Sequence, residues 1–183
     1  MIYYLVALLD DSSYKYIEEI QKEICYNYKL FDKNDKLPKL HITIEVIDEP
    51  DVDMLIKSLK NILKKCSSFE AKSEGVICFD PPYKSVNLKI RDYGRILKLS
   101  KDINHILKKE KFNVRENIEN YDLHISLANS YFSNKQWSDF EYASACSFAK
   151  NNDRDFIIKI NELQLWKPVN DESEMVIFKF PLT

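Results

Sequence analysis

A chain of 183 residues, 45% hydrophobic and 13% aromatic, carries enough apolar surface for one compact domain or two small lobes sharing a core. Its formal charge of −2 and pI near 6.0 exclude the basic excess of proteins that hold long nucleic acid, which limits such a partner to a short end or a small nucleotide. Two glycines and six prolines leave little room for long flexible linkers.

In chain order, residues 2–9 (IYYLVALL) form an apolar, aromatic run that predicts a buried strand. Tyr3 and Tyr4 put one ring on each of its faces, so one of them lines any cleft beside it. Ser12 or Ser13 is expected to cap a helix reaching about Tyr28, with Ile17, Ile20 and Ile24 on one face. Pro38 precedes a second strand at 40–46 (LHITIEV). Beyond Pro50, Val52, Leu55, Ile56, Leu59, Ile62 and Leu63 repeat at helical spacing, and Lys64-Lys65 suit the C-terminal end. Strands follow at 69–79 and 85–91 around the turn Asp80-Pro81-Pro82-Tyr83. A helix is expected over 93–110, a strand over 121–129 (YDLHISLAN), and a helix over 134–149 with Trp137, Phe140, Ala143 and Phe148 on its buried side. Two strands close the chain near 155–166 and 175–181.

A strand and a helix thus precede LHITIEV, and a strand and a helix precede LHISLAN, which implies two lobes related by a pseudo-twofold. The expected fold is α+β, with mostly antiparallel sheets facing a central cleft and helices outside. The whole of 1–183 is read as a single domain of two intertwined lobes. Cys25, Cys66, Cys78 and Cys146 form no CxxC pair, so they are expected as reduced thiols rather than a zinc site or disulfide framework. The opening MIYYLVALLD lacks a basic region, and its apolar run is too short for a signal or membrane helix. A soluble cytoplasmic protein, monomeric and without an obligatory protein partner or membrane, is therefore expected.

His41-Ile42-Thr43-Ile44 and His124-Ile125-Ser126-Leu127 are two copies of one pattern, 83 residues apart, and hold two of the three histidines. Strand alternation puts His41 with Thr43, and His124 with Ser126, on one face, while the aliphatic residues point to the core. Two imidazoles with ordinary pKa near 6.5 can divide the work, one neutral as base and one protonated as acid. Two hydroxyls can donate to non-bridging phosphate oxygens, where charge accumulates in the transition state. No metal or cofactor is needed. A two-histidine metal site is the rejected rival, because Glu45 and Asp122 are the only nearby carboxylates. His105 reads as an ordinary helix residue. Tyr83 and Lys84 in a turn, and Trp166 with Lys167 at a strand end, are lesser candidates for stacking on a base or meeting a phosphate.

At these residues the chain resembles the two-histidine (2H) phosphoesterase superfamily, whose signature is a pair of H-x-[ST]-x motifs with hydrophobic x positions. Length, spacing and the closing MVIFKFPL resemble its 2′-5′ RNA ligase-like branch. The resemblance implies a bilobal fold with His41 and His124 catalytic and Thr43 and Ser126 on the phosphate. It also implies metal-independent action on 2′,3′-cyclic phosphates, 2′-5′ linkages or cyclic nucleotide phosphates, on an RNA 3′ end or small nucleotide. Two positions depart from the branch: Asn129 stands where members acting on RNA often carry a basic residue, and Leu123 where a proline often precedes the second histidine. The competing function is a non-catalytic nucleotide- or RNA-end-binding module that keeps the cleft.

Overall fold

A computed structural model of the chain describes residues 1–91, 94–152 and 154–183. Its first half runs β1 (Ile2–Ala7), α1 (Asp11–Asn27), β2 (Ile42–Asp48), α2 (Val52–Leu63) and β3 (Phe69–Phe79). The second runs β4 (Ser85–Ile90), α3 (Arg95–Lys109), the short β5 (Asn113–Val114), β6 (His124–Ala128), α4 (Asp139–Asn151), β7 (Ile157–Ile160), β8 (Glu162–Trp166), α5 (Glu172–Met175) and β9 (Val176–Pro181). All recorded pairings are antiparallel, in the order β7-β3-β4-β6-β2-β1-β8-β9, with β5 on β2.

The pseudo-twofold is visible in this order. It relates β1-α1-β2 to β4-α3-β6, and the helices cross over: α1 packs on β6 and α3 on β2. A later strand from each half completes the other lobe, β3 beside β4 and β8 beside β1, while β7 adds to the outer edge of β3. The central strands β2 and β6 meet at a single recorded pair, Ile42 with Ile125. Both of these side chains are fully buried, as are Ile44 and Leu127, and together they anchor the core under the helices. At about 25 cal/mol per Å² removed from water, each such side chain contributes roughly 2 kcal/mol of burial free energy.

The duplication extends to defects in the ladders. Leu5 pairs with Glu45 and Val6 with Thr43, which leaves Ile44 as an extra residue. Val86 pairs with Ala128 and Asn87 with Ser126, which leaves Leu127 as an extra residue. A bulge therefore falls on the fourth residue of each His-containing segment, and it resets the alternation of faces beyond that point.

Some sequence expectations are corrected. The cap of α1 is Asp10, whose carboxylate accepts from the Ser13 backbone and both serine hydroxyls, rather than Ser12 or Ser13. The helix expected over 134–149 starts at Asp139, because Ser138 and Glu141 close a capping box there. The buried side consequently becomes Tyr142, Ala145 and Ala149, while Phe140 is 81% exposed. Trp137 is buried ahead of the helix, and its indole N–H donates to the Lys84 carbonyl at 3.0 Å. The run 155–166 divides at Asn161 into β7 and β8, which pair with different neighbours, β3 and β1. The start expected at 93 for the third helix lies outside the described residues. Cys78 and Cys146 are joined by a disulfide, not reduced: β3 and α4 bring their Cα atoms to 6.2 Å, a proximity that a sequence separation of 68 does not reveal. Cys25 and Cys66 are free. Among the described residues no helix is long and apolar enough to cross a membrane.

The capping box supports a simple test. Ser138→Ala removes the acceptor for the Glu141 N–H, and is expected to cost about 1 kcal/mol, read as a lower urea midpoint. Ser138→Asp should stay near wild type; an unchanged midpoint in Ser138→Ala would contradict the assigned helix start.

Candidate active site

Extending the Ile42–Ile125 register by one residue each way sets His41 opposite Ser126 and Thr43 opposite His124. Directly opposed side chains lie about 5 Å apart and diagonal ones about 7–8 Å, so the two imidazoles occupy one diagonal of a small square and the hydroxyls the other. All four line a cleft of about 910 Å³ between the lobes. The Ile42 and Ile125 side chains beneath hold the square from the core side.

Each imidazole is oriented the same way. His41 Nδ1 lies 2.7 Å from the Lys39 carbonyl, and His124 Nδ1 lies 2.7 Å from the Asp122 carbonyl. A carbonyl only accepts, so each Nδ1 carries the hydrogen, and each neutral ring is left with its lone pair on Nε2. An aromatic edge supports each ring: Trp166 at 4.7 Å from His41 and Phe79 at 5.0 Å from His124, both T-shaped, with Tyr121 6.0 Å from His124. Trp166 ends β8 and Phe79 ends β3, so these supports also obey the pseudo-twofold.

Burial lowers the affinity of both rings for a second proton. His41 is pushed down to about 4, by burial first and then by the neighbouring His124 charge, against the pull of the Lys39 carbonyl. His124 is also lowered, chiefly by burial, against the Asp122 carbonyl and carboxylate, and with Arg115 adding to the decrease. Both are therefore predominantly neutral at pH 7.

Among the lesser candidates, Tyr83 lines the rim, 73% exposed, and Trp166 lines the floor. Lys84 is not among the residues lining the cleft: its ammonium pairs with Asp139 at 2.7 Å. Of the two N-terminal tyrosines, Tyr4 faces the cleft and Tyr3 packs on the core. His105 is exposed on α3. Glu45 is not beside the histidines, because the Ile44 bulge turns it inward. There it is fully buried against Arg115 Nε at 2.7 Å and Asn104 Nδ2 at 2.7 Å. Among the described residues no three His, Cys, Asp or Glu side chains gather as a metal would require.

Sequence reasoning missed Phe79, Tyr121 and the Glu45–Arg115 pair. A signal for Phe79 existed: Phe79-Asp80-Pro81 and Trp166-Lys167-Pro168 repeat an aromatic-x-Pro pattern at nearly the spacing of the histidines. Tyr121 sits 3.6 Å from the Arg115 guanidinium, which Glu45 holds in place. Nothing in the local sequence announces that stack.

The family model of the 2′-5′ RNA ligase superfamily matches residues 9–172. A comparison with curated proteins gives no significant match. Among solved structures, TT0787 of Thermus thermophilus superposes with a TM-score of 0.64 at 13% identity, covering 100% of this chain and 98% of that one. E. coli LigT complexed with 3′-AMP gives 0.59 at 13% identity, with 99% and 97% covered. Usb1 of Kluyveromyces marxianus gives 0.50 at 15% identity, with 99% and 98% covered. At these identities the similarity is one of fold.

Proposed function

The chain belongs to the 2′-5′ RNA ligase superfamily, and from that premise we propose that it is a phosphodiesterase opening 2′,3′-cyclic phosphates on RNA 3′ ends or small nucleotides. The observation that carries this reading is the matched pair of imidazoles. Both are locked through Nδ1 to a carbonyl two residues upstream, which leaves each lone pair on Nε2, and both rings line the same cleft. One neutral Nε2 takes a proton from the attacking water as its oxygen bonds to phosphorus. The other ring, protonated, gives its proton to the ribose oxygen as that P–O bond breaks. Thr43 and Ser126 donate to the non-bridging oxygens, and the products are a phosphomonoester and a free neighbouring hydroxyl. With a 5′-hydroxyl in place of the water, the same steps would open the cyclic phosphate into a 2′-5′ linkage as the 3′-oxygen leaves with the proton, and the reverse would cleave that linkage. Which histidine is base depends on direction, and each transfer supplies about 10²–10⁴-fold.

The cleft suits a small partner. Among the described residues Lys39 and Lys167 are its only basic lining residues besides the histidines, while Tyr4, Tyr83, Tyr121, Tyr131 and Phe132 offer faces for a base. In this reading the 183 residues act as one domain of two intertwined lobes, a monomer in the cytoplasm without metal. The Cys78–Cys146 disulfide stands against a reducing cytoplasm, and alkylation trapping in cells decides between them: both cysteines found as thiols supports the cytoplasm, and the bond found oxidised supports an oxidising compartment.

The test is a panel of 2′,3′-cyclic and 2′-5′-linked substrates, with the phosphate position in each product determined in the presence of EDTA. Opening of a cyclic phosphate is expected. Saturable binding with no product from any substrate would overturn catalysis and leave a binding module.

The depressed imidazoles also set the pH dependence. kcat/KM reports the empty enzyme, in which both histidines titrate below 6.5, so the protonated acid becomes scarcer as pH rises. kcat/KM is expected to peak below pH 6.5 and decline above it. A bound phosphate anion raises both pKa values, which moves the kcat profile to higher pH. A kcat/KM that climbs from pH 6.5 to 8 would contradict this.

A further inference from the structure

The pseudo-twofold breaks at one polar contact. Asn129 Nδ2 lies 3.0 Å from Ser126 Oγ. Its other amide atom, Oδ1, accepts from the Tyr131 backbone N–H at 2.8 Å. A backbone N–H can only donate, so that bond fixes which end of the amide is oxygen. Asn129 therefore donates to Ser126, and the serine oxygen is the acceptor.

A hydroxyl that accepts from one side must send its own hydrogen elsewhere. Asn87 stands across the ladder from Ser126, but its Nδ2 is engaged with Ser85 and the Ile77 carbonyl, and its Oδ1 has no hydrogen-bond partner among the described residues. The Ser126 hydrogen is left for the cleft. The bulge at Leu127 makes the contact possible, since an unbroken strand would put residues 126 and 129 on opposite faces. In the other lobe the matching place is Val46, which offers no donor to Thr43.

We propose that Asn129 is a positioning residue that holds the Ser126 hydroxyl as a ready donor to a non-bridging phosphate oxygen. This rests on the reading of the cleft as a phosphodiesterase site. Asn129 adds no charge, so it favours a substrate with a single negative charge at the reacting phosphate, such as a cyclic phosphodiester, over a dianionic monoester. Pre-orientation strengthens donation as charge develops, and therefore acts on kcat more than on KM.

Asn129→Asp is the discriminating variant. It keeps the acceptor for Tyr131, so the turn survives, but it replaces the donor with an acceptor that takes the Ser126 hydrogen. A double-mutant cycle with Ser126→Ala then separates this reversal from the added charge. Asn129→Asp is expected to lower kcat for a 2′,3′-cyclic mononucleotide about 100-fold with Ser126 present, and about 10-fold or less in Ser126→Ala. KM and Tm should stay near wild type. Equal losses in both backgrounds, or no loss in kcat, would overturn the proposal. The same cycle is read on the Kd of a nucleoside 3′-monophosphate, where coupling between the two sites is again expected and additivity would overturn it. Should the wild type turn over no cyclic substrate, the hydrolytic reading fails, and the Kd cycle still decides the role of Asn129.

Discussion

Replacing His41 or His124 with glutamine is expected to lower kcat by about 10²–10⁴-fold each, with Tm within a few degrees of wild type. Glutamine retains a donor for the Lys39 or Asp122 carbonyl and a comparable apolar surface against Trp166 or Phe79. What it cannot do is exchange a proton near neutral pH. The two losses should combine to less than their product, because a base without its acid partner already loses most of the concerted advantage. The measurement is steady-state turnover of a 2′,3′-cyclic nucleotide, with the melting temperature of each variant alongside. A single variant that keeps more than about a tenth of wild-type kcat would remove that ring from the proton transfers.

The largest effect on stability is expected at Arg115. Glu45 is fully buried, and its carboxylate is met by Arg115 Nε at 2.7 Å, Asn104 Nδ2 at 2.7 Å and the Val46 N–H at 2.8 Å. Arg115 also donates through Nη2 to the Ile44 carbonyl at the bulge and stacks on Tyr121. Arg115→Met leaves a buried carboxylate without its counter-charge, at a cost of about 3–5 kcal/mol. For a chain of this size that corresponds to a Tm lower by roughly 10–15 °C. Glu45→Met combined with Arg115→Met should recover much of the loss, since exchanging both partners for apolar groups removes the orphaned charge. An Arg115→Met protein melting within about 2 °C of wild type would show that the pair contributes little.

The gathering of the four side chains in one cleft was legible because strand periodicity needs no tertiary information: HITI and HISL announce an imidazole and a hydroxyl on one face of each strand, over buried aliphatics. The order of elements was legible for the same reason, since apolar runs and helical spacing are local. The bulges were not. Nothing in Ile44 or Leu127 marks an extra residue, so simple alternation put Glu45 beside His41, whereas the ladder turns it toward Asn104. The bulge at Leu127 did the opposite for Asn129, which looked only like a missing cation and proves to be bonded to Ser126. Phe79 and Trp166 needed the aromatic-x-Pro repeat to be recognised as a second duplicated signal. Cys78–Cys146 and the Glu45–Arg115 pair depend on contacts between elements far apart in the chain, which spacing does not encode. Lys84 was plausible from its turn, but Asp139 at the start of α4 claims its charge.

The account stands on both imidazoles addressing one phosphate. NMR titration of the three histidine rings tests this directly, with and without one equivalent of a nucleoside 3′-monophosphate. In the free protein His41 and His124 are expected as Nδ1–H tautomers with pKa values below 6.5. The nucleotide should shift both together and raise both pKa values while leaving His105 unmoved. A nucleotide that perturbs only one of the two, or neither, would contradict the paired-histidine site.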